Sequence, residues 1–291
     1  MASKFPEFQL AATTHPGTVA LKVANLEKMT HFYQEVIGLT ILQKNSQQTV
    51  LGITTGQPLL ILNQVDNPLP TTRQTGLYHV AFLLPDRPSL GDALIHYLTV
   101  NAPLSGASDH GYSEALYLTD PEGNGIEVYR DKPMDMWDIR DDGEIVGVTN
   151  EMDANGVAQS ATGTWQGFPE GTKVGHVHLK VSDLNQTDKF YTESLGLSLK
   201  LDFGSQAKFL ATGTYHHHVG ANTWTGRHLP AMSANDLGLD YYSFFVADQL
   251  ELDRIEMNWK EKSLNFDKDS EANLWITDPS GIQIKFEIEP K

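Results

Sequence analysis

Cysteine is absent from all 291 residues. That absence removes disulfides, thiolate metal sites and a cysteine nucleophile, so any metal must be held by His, Asp, Glu or Tyr. Positive charge is also scarce: 21 Lys and Arg stand against 37 Asp and Glu, a formal net charge of −16. Phosphate binding draws most of its affinity from Lys and Arg, so nucleic acid is excluded as the expected partner and a small molecule takes its place. No apolar run approaches the roughly 20 residues that span a bilayer. The opening MASKFPEFQL also lacks an apolar signal segment, so no membrane partner is expected and the expected location is the cytoplasm. A hydrophobic content of 40% with 20% charged residues fits a globular chain rather than a disordered one.

What is present is a duplication. LKV at 21–23 returns at 179–181, FY at 32–33 at 190–191, IGL at 37–39 as LGL at 195–197, and TDPEG at 119–123 as TDPSG at 277–281, all in one register. The pattern divides the chain into an N-terminal unit, 1–130, a connector, 131–173, and a C-terminal unit, 174–291. The connector is rich in Asp, Gly and Thr, but its tryptophans imply that it packs on a domain.

Each unit divides again into two modules that read strand, helix, then several strands. TVALKV (18–23) alternates as a strand and ends at Asn25, a helix cap ahead of Leu26, Met29, Phe32, Tyr33 and Val36 at helical spacing, with Gly38 as the stop. GHVHLKV (175–181) opens the third module in the same way. The second module has GLYHVAFLL (76–84), a helix near 88–99 and EALYLTDPEGNGIEVYR (114–130). The fourth has GLDYYSFFV (238–246), a helix near 248–262 and ANLWITDPSGIQIKFEI (272–288). In both repeats the Asp-Pro-x-Gly segment is hairpin-turn chemistry. Four βαβββ modules make the fold class α+β.

The duplication is uneven where it matters. His176 stands where the first unit has Thr18, while His79 and Glu127 stand where the second has Tyr241 and Lys285. His79 and Glu127 occupy the first and last strands of one module and converge if those strands are neighbours. A half-buried His–Glu hydrogen bond is the plainer alternative. With His176 they would make a facial set of two histidines and one carboxylate, leaving up to three coordination positions for substrate and dioxygen. Modules two and three must then form the functional cup, either within one chain or across subunits of a homo-oligomer. His178 shares a strand face with His176 and is expected to line the pocket at most. YHHHVGANTW (215–224) reads as a strand whose His216, His217, His218 and Trp224 are pocket candidates or, alternatively, an adventitious metal binder.

Further residues carry a family resemblance. Tyr117 precedes Glu127 by ten residues in YLTDPEGNGIE, His110 precedes Tyr117 in DHGYSEALY, and His217, His218 and Ala221 fit a His-His-x-x-Ala signature. On these motifs and the module order, the chain resembles the vicinal oxygen chelate superfamily of glyoxalases, bleomycin resistance proteins and dioxygenases. Within it the chain looks most like type I extradiol ring-cleaving catechol 2,3-dioxygenases. The resemblance implies two cup-shaped paired sheets, non-haem Fe(II) with Mn(II) as the alternative, O2 as co-substrate, and an aromatic diol or hydroquinone. It implies that His218 is the acid–base residue, that Tyr117 hydrogen-bonds a substrate oxygen and that His110 orients it. His110 stands two positions nearer the tyrosine than in the family pattern. Better-known extradiol enzymes place the ligands in modules three and four, which Tyr241 and Lys285 preclude here. A glyoxalase-like isomerase or lyase and a metal-free binding or resistance protein are the rival readings.

Overall fold

Each α-helix starts at a polar side chain that takes up free N–H groups of its first turn. Asn25 Oδ1 accepts from the Lys28 amide at 2.9 Å, and Asp183 Oδ1 accepts from Gln186 at 2.9 Å. The first helix stops at Gly38, whose φ of 102° suits a residue without Cβ. A side chain there would also meet Trp165 of the connector at 2.4 Å.

The computed structural model describes residues 6–70 and 72–290, so the first five residues of the opening segment read above lie outside the described residues. Module one comprises β1 (His15–Val23), α1 (Leu26–His31) running into a π-helical turn at Phe32–Ile37, β2 (Thr40–Lys44), β3 (Gln48–Gly52) and β4 (Pro58–Gln64). Module two comprises β5 (Gly76–Leu84), α2 (Arg87–Thr99), β6 (Leu104–Asp109), β7 (Ser113–Thr119) and β8 (Gly125–Asp131). The connector contributes β9 (Asn150–Glu151) and α3 (Ala154–Gln159). Module three comprises β10 (Lys173–Lys180), α4 (Leu184–Lys189), β11 (Ser198–Phe203), β12 (Ala207–Ala211) and β13 (Val219–Asn222). Module four comprises β14 (Gly238–Val246), α5 (Gln249–Glu261), β15 (Phe266–Lys268), β16 (Leu274–Thr277) and β17 (Gln283–Ile288).

Two mixed sheets result. One runs β15-β16-β17-β14-β1-β4-β3-β2 and joins module four to module one; the other runs β11-β12-β13-β10-β5-β8-β7-β6-β9 and joins module three to module two. The joints are the antiparallel pairs β14–β1 and β10–β5, so the second sheet forms within one chain. Along β5, Val80, Phe82 and Leu84 enter the main core while Ala81 and Leu83 pack in a second cluster on the other face, as strand alternation requires.

The repeated motifs tie the two sheets together. Tyr33 of the FY pair donates to Asp120 Oδ2 of the TDPEG turn at 2.9 Å, and Tyr191 donates to Asp278 Oδ2 of TDPSG at 3.1 Å. Modules one and two are thereby clamped across the sheets, as are three and four. The connector packs as its tryptophans implied: Trp165 stacks on His96 at 4.4 Å, and Trp137 is buried.

Two local expectations fail. The segment 215–218 is not strand, since β13 starts at Val219. Its histidines therefore do not alternate between two sheet faces, and their directions are set by a turn that begins at Gly213, φ 53°.

Candidate metal centre

Three adjacent strands of the second sheet carry the candidate ligands. Glu127 on β8 and His176 on β10 both lie opposite Ala81 of β5, and His79 is two residues before Ala81 on the same strand. Alanine at the centre leaves the space into which the three longer side chains lean. A bulge between Val174 and His176 helps aim the latter. Gly175 at that bulge is obligatory for packing, because a Cβ would lie 1.8 Å from Tyr129 Oη.

The geometry is that of a donor set converging on one point. His79 Nε2 lies 3.0 Å and His176 Nε2 3.2 Å from Glu127 Oε2, and the two nitrogens are 3.3 Å apart. Metal–ligand bonds of about 2.0–2.2 Å at right angles separate neighbouring donors by about 3 Å, against about 3.4 Å in a tetrahedron. The observed spacings fit a divalent cation and span the range between the two arrangements. Among the described residues this is the one group of three His, Cys, Asp or Glu side chains placed to hold a metal.

Electrostatics prepares the ligands. Burial pushes His176 down to about 4, so its imidazole is neutral and offers a lone pair. Burial alone would raise Glu127, but its hydrogen bonds with His176 and His79 hold its carboxyl well below the usual range. His176 Nδ1 is buried without a hydrogen-bond partner, so packing against Tyr129 and His217, at 5.0 and 4.1 Å between ring centres, fixes the ring.

A cavity of about 610 Å³ opens above this set. Tyr117 and His110 line one side, with the Tyr117 hydroxyl 2.6 Å from His110 Nε2 and His110 Nδ1 2.7 Å from the Val148 carbonyl. A carbonyl can only accept, so His110 donates from Nδ1, and a neutral ring then accepts the Tyr117 hydroxyl at Nε2. Burial and the charge of Glu127 push the Tyr117 phenol far upward, keeping it protonated. His178 and His217 also line the cavity, both held neutral by burial. Trp224 stands half-exposed at the mouth beside Tyr78, 5.2 Å between ring centres.

Two expected pocket residues are elsewhere. His218, expected to be the acid–base group, does not line the cavity: Thr212 bonds its Nδ1 and Tyr215 stacks on it at 4.8 Å. His216 also lies behind the wall, bonded to Asp131 and stacked on Tyr112 at 4.2 Å. His217, between them in sequence, does line the cavity. The sequence reading missed Asp131, Tyr112 and Phe203; only Asp131 had a signal, as a carboxylate at the end of the strand that carries Glu127.

Residues 15–128 match the sequence profile of the Glyoxalase/Bleomycin resistance protein/Dioxygenase superfamily. Over 282 residues, 94% of this chain and 98% of the relative, the sequence is 40% identical to catechol-2,3-dioxygenase of Bacillus subtilis (strain 168). The chain belongs to the glyoxalase/bleomycin resistance protein/dioxygenase superfamily. Solved structures agree in fold. A candidate dioxygenase from Bacillus subtilis subsp. subtilis str. 168 superposes with a TM-score of 0.66 at 12% identity, covering 98% of this chain and 87% of that one. Glyoxalase I from Zea mays gives 0.56 at 14% identity, covering 95% and 93%. In this superfamily member the cup of modules one and four has a different interior. Tyr241 packs on Trp275 at 4.9 Å and Lys285 pairs with Glu287 at 2.6 Å, so a cation fills the place that Glu127 takes in the other cup.

Proposed function

We propose that this chain is a non-haem Fe(II)-dependent extradiol ring-cleaving dioxygenase acting with O2 on catechol-type or hydroquinone-type aromatics, with Mn(II) as the alternative metal. The convergence of His79, His176 and Glu127 beneath the cavity carries the reading. The identity to a catechol-2,3-dioxygenase over nearly the whole chain supports it. We read 1–130 and 174–291 as the duplicated units joined by 131–173, a division of the sequence that both sheets cross.

A divalent iron held by these three side chains would supply Lewis acidity toward a vicinal diol, open positions for two ligands and a path for electron density from the diol to dioxygen. The protein's own groups handle the protons and the position of the ring. Because the Tyr117 hydroxyl donates to His110, its oxygen lone pairs are free to accept from a substrate hydroxyl. His217, 4.1 Å from His176 between ring centres, accepts the second hydroxyl proton and returns it to oxygen as the ring opens. The role expected of His218 thus passes to its neighbour. Aromatic walls from Phe209, Trp224 and Tyr78 hold a flat ring and exclude water.

Among the described residues lining the cavity, Glu127 is the sole carboxylate. A glyoxalase-like site with carboxylates from two modules therefore finds no second acid here, and sequestration without metal leaves the donor set without a purpose. The test is anaerobic Fe(II) loading of the wild type and of Glu127→Gln, followed by catechol turnover. Wild type should bind one iron per chain and form the yellow ring-opened product. Loss of a ligand should weaken iron binding by more than the roughly 10–100-fold typical of an outer-shell partner. Equal iron binding by both proteins would refute the site.

A further inference from the structure

Behind the cavity wall lies a hydrogen-bond network that the mechanism above does not use. Asp131, at the end of β8, is only partly covered. Its Oδ2 accepts from the Tyr215 hydroxyl at 2.9 Å, and its Oδ1 lies 3.0 Å from His216 Nε2. Tyr129 Oη lies 2.8 Å from Tyr215 Oη. On the other side, His216 Nδ1 and His217 Nδ1 are 2.7 Å apart. His216 is clamped between these contacts by the Tyr112 ring stacked on it, and it does not reach the cavity.

The directions of these bonds follow from which groups can donate. A carboxylate only accepts, so Tyr215 and His216 both point protons at Asp131, and Tyr129 donates to Tyr215. A contact between two Nδ1 atoms requires one proton between them. The Nε2 proton of His216 is committed to Asp131, so where its Nδ1 accepts, the shared proton comes from His217. The remaining His217 nitrogen, Nε2, is then bare.

We propose that Asp131 and His216 are positioning residues that fix the His217 tautomer with the proton on Nδ1, so that Nε2 faces substrate as a proton acceptor. The purpose of that bare nitrogen rests on the ring-cleavage reading; the tautomer itself does not. The arrangement parallels the Val148–His110 contact, which sets the direction of the Tyr117 hydroxyl on the opposite wall. Two relays then present two acceptors, a suitable number for a diol.

Nitrogen-15 NMR of the histidines in wild-type protein reads the tautomer directly, with or without turnover. His217 should show a protonated Nδ1 and a bare Nε2. Replacing His216 by Phe, which retains a ring for Tyr112 to stack on, should release His217 to the opposite tautomer. In the same variant kcat should fall about 100-fold while KM and bound iron change less than twofold, since a wrong tautomer in an analogous triad costs on the order of 10⁴. Asp131→Asn should lower kcat and Asp131→Glu should largely restore it. A wild-type His217 protonated at Nε2 would overturn the proposal even if His216→Phe fails to fold. So would a His217 tautomer unchanged in that variant. Correct tautomers in a protein that never cleaves a catechol would instead overturn the ring-cleavage reading alone.

Discussion

Exchanging the two neighbouring histidines one at a time separates geometry from motif. His217 lines the cavity against His176, whereas His218 lies behind it with Thr212 and Tyr215. General acid–base groups contribute about 10²–10⁴-fold. At about 1.36 kcal/mol per decade, His217→Phe should therefore raise the barrier by about 3–5 kcal/mol. Its cost in stability should be smaller, about 1 kcal/mol for the hydrogen bond to His216, because an apolar ring of similar size still fills the wall. His218→Phe should behave in the opposite way. It leaves the buried Thr212 amide without its Nδ1 acceptor, 3.3 Å away, at a cost of about 1–3 kcal/mol in stability. Its kcat should stay within about twofold of wild type, since the ring touches no substrate. Initial rates of ring-opened product in air-saturated buffer, iron per chain and thermal unfolding give the three readings. A His218 variant that loses activity while folded and iron-loaded, beside an active His217 variant, would refute the assignment.

Three other perturbations probe the frame around the site. Tyr33→Phe removes the hydroxyl that binds Asp120 Oδ2 across the sheets, and should cost about 1–2 kcal/mol in denaturant unfolding with kcat little changed, because Asn124 still bonds that oxygen at 2.8 Å. Gly175→Ala forces a Cβ to within 1.8 Å of Tyr129 Oη. It should destabilise by about 1–3 kcal/mol and weaken iron binding by displacing His176, which calorimetry and metal titration would show. Trp224→Ala strips an aromatic face from the cavity mouth and should raise KM about fivefold for ring-substituted catechols, roughly 1 kcal/mol, with little effect on catechol itself.

Module boundaries were readable because strand and helix signals take turns: TVALKV alternates, GLYHVAFLL is an apolar run of strand length, and the stripe from Leu26 to Val36 is helical and bracketed by Asn25 and Gly38. The candidate ligand set stood out because duplication supplied an internal control, so that Thr18, Tyr241 and Lys285 marked where His176, His79 and Glu127 differ. The clamp between Tyr33 and Asp120 explains why those motifs stand out in both halves: each pair must meet across the two sheets.

What stayed hidden depended on local backbone direction. The run Tyr215–His218 has the composition of a strand continuing into Val219, and strand logic places alternate histidines on one face. The chain instead turns at Gly213 and arrives at β13 irregularly, which delivers His217 to the cavity and sends its neighbours behind it. Asp131 was hidden for a different reason. Its partner His216 is remote in sequence, and nothing near either residue signals that β8 ends beside that turn.

The central claim is that His79, His176 and Glu127 make one iron site for cleaving diols with dioxygen. An oxygen electrode measures it most directly: protein loaded anaerobically with one Fe(II) per chain is mixed with a limiting amount of catechol, alkyl-catechol or hydroquinone. The expected result is uptake of one O2 per ring cleaved, matched by ring-opened product and abolished in Glu127→Gln. Iron-loaded, folded protein that consumes no oxygen with any of these substrates would contradict it.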